Sequence, residues 1–141
     1  MKNQLYPCLW FDGQAREAAE YYCSIFPNSK ITIDSGIVVN FELNGQLFMA
    51  LNGGDNFKFN EAVSFVIPCK DQEEIDYYWN KLTSDGGQES MCGWCKDKYG
   101  LSWQVVPAIM GELMSNPERA QRVMKAFMKM QKFDIEALLK A

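Results

Sequence analysis

The sequence predicts an α+β fold made of two βαβββ modules followed by a helical tail. Three observations carry this. The order strand, helix, then about three strands occurs twice. Glu20-Tyr21-Tyr22 recurs as Asp76-Tyr77-Tyr78, an offset of 56 residues that also lays Cys8 on Ser64, Leu9 on Phe65 and Phe26 on Leu82. Residues 108–141 change to helical periodicity. A unit of this kind exposes an apolar sheet face it cannot cover alone, so two units are expected to pair.

Residues 5–11 (LYPCLWF) read as a short aromatic strand closed by Asp12-Gly13. A helix follows from Gln14 to Phe26, with Ala15, Ala18, Ala19, Tyr22 and Phe26 at helical spacing and Pro27-Asn28 as its stop. Strands are expected at Lys30–Asp34, Ile37–Leu43 and Gln46–Leu51. The last two are joined by Asn44-Gly45, a strong hairpin signal. After the 52–56 loop the pattern restarts, with a strand at Ala62–Ile67 ended by Pro68. Asp71 with Glu74 has capping-box spacing for a helix reaching about Leu82. Strands then read at Gln88–Met91, Trp94–Lys96 and Ser102–Val106, the last stopped by Pro107. In the tail, Asn116-Pro117-Glu118 starts a helix with an Ala120, Val123, Met124, Phe127 and Met128 stripe, and Asp134 caps a final short helix. The modules span about 1–56 and 57–107, with the tail at 108–141, all within one expected domain.

With 141 residues, 48% hydrophobic and 13% aromatic, the chain buries a core without metal or disulfide help. No window supports a membrane helix, and MKNQLYPCLWFDG lacks a signal-length apolar run, so a cytoplasmic protein is expected. The net charge of −4 disfavours nucleic acid as a partner. Residues 117–141 nevertheless carry six basic and three acidic groups, a local +3 that suits either a solvated face or docking on the body or a partner. Five methionines fall at 110, 114, 124, 128 and 130, consistent with adaptable packing, a pocket wall or a dimer seam. The five cysteines read as free thiols. The absence of histidine removes the commonest general base and the commonest transition-metal ligand together, and rules out a Ser-His or Cys-His pair.

Together LWFDGQAREAAEYYCSIFPNSKI, FNEAVSFVIPC and KDKYGLSWQVVP resemble the vicinal oxygen chelate superfamily, the glyoxalase/bleomycin-resistance/dioxygenase fold. The nearer likeness is its PhnB-like branch, labelled 3-demethylubiquinone-9 3-methyltransferase-like, and it extends over essentially the whole chain. Its most specific piece is Asp-x-Tyr-Gly-x-x-Trp-Gln at 97–104. The resemblance implies a curved mixed sheet around a central cleft, a homodimer, and metal ligands on the first and last strand of each module. Those positions here are Cys8, Met49, Ser64 and Gln104, with Gln where the superfamily usually has Glu. The set has no carboxylate or imidazole and is a poor shell for a hard divalent ion. No cofactor is therefore expected, and only a weak thiolate-assisted metal site stays open.

Strand parity points to the same cleft. Leu5, Leu9 and Phe11 share a face, opposite Tyr6, Cys8 and Trp10. Val63, Phe65 and Ile67 oppose Ser64 and Val66, and Trp103 and Val105 oppose Ser102, Gln104 and Val106. The first set in each case suits the helices. The second lines either a ligand cleft or a filled interior with Gln104 hydrogen-bonded inside. Cys92-Gly93-Trp94-Cys95 is a C-x-x-C in strand or loop context rather than at a helix start, which favours ordinary thiols over a redox pair or zinc site. No G-x-G loop supports S-adenosylmethionine chemistry. Two functions are expected to compete. One is a metal-free binding protein for a small, partly aromatic molecule, using Cys8, Trp10, Met49, Ser64, Trp94 and Gln104. The other is an enzyme using a cleft carboxylate or tyrosine such as Glu42, Glu61 or Tyr99, which sequence alone does not place.

Overall fold

The computed structural model describes residues 3–141. It contains two compact units, one ending at Lys58 and one beginning at Phe59, where the sequence reading places the module boundary at 56/57. Each unit carries its own four-stranded mixed sheet.

In the first unit, β1 (Cys8–Phe11), α1 (Ala15–Ile25), β2 (Lys30–Asp34), β3 (Val38–Leu43) and β4 (Gln46–Asn52) form a sheet of order β1-β4-β3-β2. β1 runs parallel to β4, and the other pairs are antiparallel. Asn44 and Gly45 both take positive φ, the requirement of the two-residue hairpin their sequence announces. Leu9, Phe11, Val39, Phe41, Phe48 and Ala50 are buried with Ala15, Ala18, Ala19, Tyr22 and Ile25 of the helix. The first strand is shorter than expected: Leu5 is 94% exposed, off the helix-facing side assigned to it. Pro7 offers no N–H, although its carbonyl still accepts from Met49 N at 3.0 Å. The helix ends at Ile25, because Phe26 precedes Pro27 and takes an extended conformation.

In the second unit, β5 (Ser64–Cys69), α2 (Gln72–Thr83), β6 (Gln88–Glu89), β7 (Trp94–Lys96) and β8 (Ser102–Pro107) form a sheet of order β5-β8-β7-β6, with β5 parallel to β8. Pro68 does not end β5. The strand lies at the sheet edge, where a missing N–H costs no ladder bond, and Pro68 is exposed. Val63, expected on the helix side, lies ahead of the strand and is 61% exposed. The strand expected at 88–91 stops at Glu89, because Cys92 and Gly93 both turn with positive φ. Asp71 caps α2 by accepting from Glu74 N at 2.9 Å, and the Glu74 carboxylate accepts from Lys70 N at 3.2 Å.

The tail supplies α3 (Met110–Leu113), α4 (Pro117–Phe127) and α5 (Ile135–Lys140). Asn116 and Asp134 cap the last two. Of the α4 stripe only Val123 is fully buried, while Met124 and Met128 remain exposed. The tail docks on its own unit instead through residues 130–135. Met130 and Gln131 carbonyls accept from Cys92 N and Gly93 N, Lys132 pairs with Asp76 at 2.9 Å, and Gln72 bonds both the Phe133 carbonyl and Ile135 N. Gly93 is required here, since a Cβ would collide with the buried Phe133 ring.

Candidate functional site

Alternation along β5, β8, β7 and β6 sends one set of side chains toward α2 and the other to the opposite face. Register then orders that opposite face in rows. Ser64 lies across from Ser102, Ser102 from Lys96, and Lys96 from Gln88. One step along, Val66 lies across from Gln104 and Gln104 from Trp94. A cavity of about 480 Å³ opens here, with Glu61, Gln88, Met91, Trp94, Lys96 and Ser102 in its wall. The turn that joins β7 to β8 is held by a buried carboxylate: Asp97 accepts from Tyr99 N, Leu101 N and Trp103 Nε1 at 2.8, 3.2 and 2.9 Å. Those bonds fix Lys96 and Ser102 at the two ends of one turn.

The electrostatics of the cavity turn on one ion pair. Lys96 Nζ lies 3.2 Å from a Glu61 carboxylate oxygen. The Lys96 ammonium holds the Glu61 carboxyl below its usual range, which makes Glu61 a weak general base. Glu89 accepts from Trp79 Nε1 at 3.1 Å, so its carboxylate is engaged with α2. Glu42 sits on the first sheet, 3.9 Å from Lys30. Tyr99 lies in the Asp97 turn, and its hydroxyl is enclosed.

The six sequence-predicted site residues divide between the units. Trp94 lines the cavity. Gln104 and Ser64 meet in a hydrogen bond, Gln104 Nε2 donating to Ser64 Oγ at 3.0 Å. In the first unit Cys8 lies across from Met49, and Met49 from Asn40, whose Oδ1 is enclosed with no hydrogen-bond partner among the described residues. Partial burial raises the Cys8 thiol pKa, which keeps it protonated at neutral pH. Trp10 is occupied by its own loop: Nε1 donates to the Gly54 carbonyl at 2.8 Å, Gly53 fits beneath the indole, and Phe57 meets it edge-on at 4.9 Å. Sequence reasoning missed Lys96, Gln88 and Met91 and left Glu61 unplaced. The alternation in Trp94-Cys95-Lys96 was the available signal for Lys96.

The residues at the positions implied for a metal do not suit a hard divalent ion. Cys8 and Met49 offer a neutral thiol and a thioether, Gln104 Nε2 donates to Ser64 Oγ, and none of the four positions supplies a carboxylate or imidazole. Among the described residues no three Cys, Asp or Glu converge.

Comparison with known proteins adds the family context. Residues 3–106 match the family model described as 3-demethylubiquinone-9 3-methyltransferase, and the helical tail lies beyond that match. Among solved structures, the PhnB protein from Bacillus cereus is 34% identical, with 75% of this chain and 100% of that chain covered at TM-score 0.68. The fosfomycin resistance protein FosX from Listeria monocytogenes, solved with Mn(II) and sulfate, is 13% identical, with 81% and 96% covered at TM-score 0.61. A glyoxalase-related enzyme from Fulvimarina pelagi is 12% identical, with 74% and 87% covered at TM-score 0.55. The last two share the fold. Among curated proteins none matches this chain.

Proposed function

The chain belongs to the 3-demethylubiquinone-9 3-methyltransferase family, the PhnB-like branch of the vicinal oxygen chelate superfamily, and on that premise we propose that it binds a small, partly aromatic molecule without a metal. The observation that carries this is the cavity of about 480 Å³ in the second unit, a volume typical of small-molecule sites. Its wall combines Trp94 and Met91, which suit an aromatic body, with a few polar groups that would orient it. Binding is favoured over catalysis because the one acidic side chain there without another partner, Glu61, is already tied to Lys96 and depressed in pKa. The methyltransferase label finds no support in a glycine-rich cofactor loop.

The assembly proposed is a cytoplasmic homodimer that binds neither nucleic acid nor membrane. Net charge −4 argues against nucleic acid, and no helix among the described residues is long and apolar enough to cross a membrane. Exposed Met124, Met128 and Leu139 on the tail give the dimer a motive. Native mass spectrometry of untagged protein purified without chelator tests the dimer and the metal-free binding together. A dimer carrying a small organic adduct, or an apo dimer that takes up aromatic ligands, supports the reading. Monomer at tens of micromolar removes the dimer. One tightly held metal per chain overturns metal-free binding and brings the enzyme reading, with Glu61 as its base, to the front.

A further inference from the structure

The polar row Ser64, Ser102, Lys96 and Gln88 crosses all four strands of the second sheet. Directly opposed residues on one face stand about 5 Å apart at Cβ, so Lys96 is flanked by Ser102 on one side and Gln88 on the other, each within side-chain reach of a small oxyanion seated on the Lys96 ammonium. Trp94 lies two residues from Lys96 on the same strand and face, about 7 Å away, the span of an aromatic ring carrying a carboxyl group. Ser102 is fully enclosed at the cavity wall, and its hydroxyl has no hydrogen-bond partner among the described residues. A buried hydroxyl in that state is a donor awaiting an acceptor. Lys96 is the more enclosed member of its ion pair, with its side chain 30% exposed against 65% for Glu61.

We infer that this row receives the carboxylate of a small aromatic acid, which displaces the Glu61 carboxylate from Lys96 while its ring lies against Trp94. The inference rests on the binding function proposed above and names its ligand class. One carboxylate replaces another on the ammonium, so the charge at Lys96 stays balanced. Glu61, already largely in water, is released at little desolvation cost. One cation with two neutral donors matches a single negative charge better than the nearly double charge of a phosphate group. Glu89 does not interfere, because its carboxylate accepts from Trp79 Nε1.

The test uses the full chain with 1-naphthoate and its uncharged isostere 1-naphthamide, with affinity from calorimetry and location from amide and indole chemical shifts. Naphthoate is expected to bind at least about tenfold more tightly than naphthamide, the value of one charge-assisted hydrogen bond. Glu61→Gln removes the competing carboxylate and should tighten naphthoate about two- to fivefold, as expected of an exposed pair, leaving naphthamide unchanged. Lys96→Met should erase the preference for naphthoate. If both probes shift Trp94 equally and Glu61→Gln changes neither affinity, the displacement mechanism is wrong and the binding function stands. If neither probe shifts any cavity residue, both fall.

Discussion

Replacing Asp97 with Asn tests whether one carboxylate sets the geometry of the site. Asp97 is 2% exposed, and its two oxygens accept from two backbone N–H groups and the Trp103 indole. Asparagine keeps one acceptor oxygen, which can stay with Tyr99 N and Leu101 N. Its amide NH₂ then faces Trp103 Nε1, donor against donor. The change removes one charge-assisted hydrogen bond and leaves buried donors unsatisfied, a cost of about 2–4 kcal/mol. For a chain of this length each kcal/mol lowers the melting temperature by about 3 °C, so Asp97→Asn should melt about 6–12 °C lower. In urea the midpoint should fall with an unchanged slope, which separates lost stability from a changed denatured state. The cause is isolated by a cycle with Trp103→Phe. Without the indole donor there is no conflict, so Asp97→Asn should cost at least about 1 kcal/mol less in that background. A single-variant cost below about 0.5 kcal/mol, the range of an inconsequential surface change, or an additive cycle, would refute the role given to Asp97.

Three further outcomes follow from other parts of the molecule. Gly93→Ala should cost about 2–4 kcal/mol, because Gly93 sits at φ +80° and a Cβ would meet both the Phe133 ring and the Val105 carbonyl. Hydrogen exchange should quicken at residues 130–135, and unchanged protection there would show that the tail does not depend on that contact. At pH 8 in native protein, a thiol reagent should modify Cys8, Cys23 and Cys92 but spare Cys69 and Cys95, which burial pushes up to about 12, until denaturant is added. Rapid labelling of all five, or a Cys92–Cys95 disulfide, would contradict this. Stability should decline on acidification. The Gly36 N–H and Arg16 lower the Asp34 pKa, Lys96 lowers that of Glu61, and Lys132 lowers that of Asp76. Each folded pKa lies below its unfolded value, so the stabilisation is complete above about pH 5 and drains as pH falls through the folded values. All three pairs are at least partly exposed, so the effect should be small and shrink in salt, and a gain of stability on acidification would reverse the argument.

What could be read from the chain were the features whose cause lies within a few residues. The Asn44-Gly45 hairpin, the Asp71, Asn116 and Asp134 caps, the buried face of α1 and the doubled βαβββ order each depend on contacts at short separation, where residue type and spacing are the physics. Strand parity likewise put Gln104 opposite Trp103 before any register was known. The Asp97–Gln104 run was legible as a motif, but its reason was not, since the bond from Trp103 Nε1 to Asp97 needs the folded turn.

Only the tertiary structure decided the rest, because those features pair residues far apart in the chain. Gln14 gives α1 no side-chain cap, and Asn52, 37 residues beyond Ala15, accepts from Ala15 N instead. Pro68 continues a strand because β5 happens to lie at an edge. Gln72 of α2 fastens the tail by bonding residues 61 and 63 positions away. The candidate site follows the same rule. Alternation says that Ser102 and Lys96 each leave the helix-facing side, but only the β7–β8 register sets them opposite each other, and only the fold brings Glu61 to Lys96. Local sequence fixes which way a side chain points, whereas its neighbours depend on strand order and register, which are settled by burying the whole sheet at once.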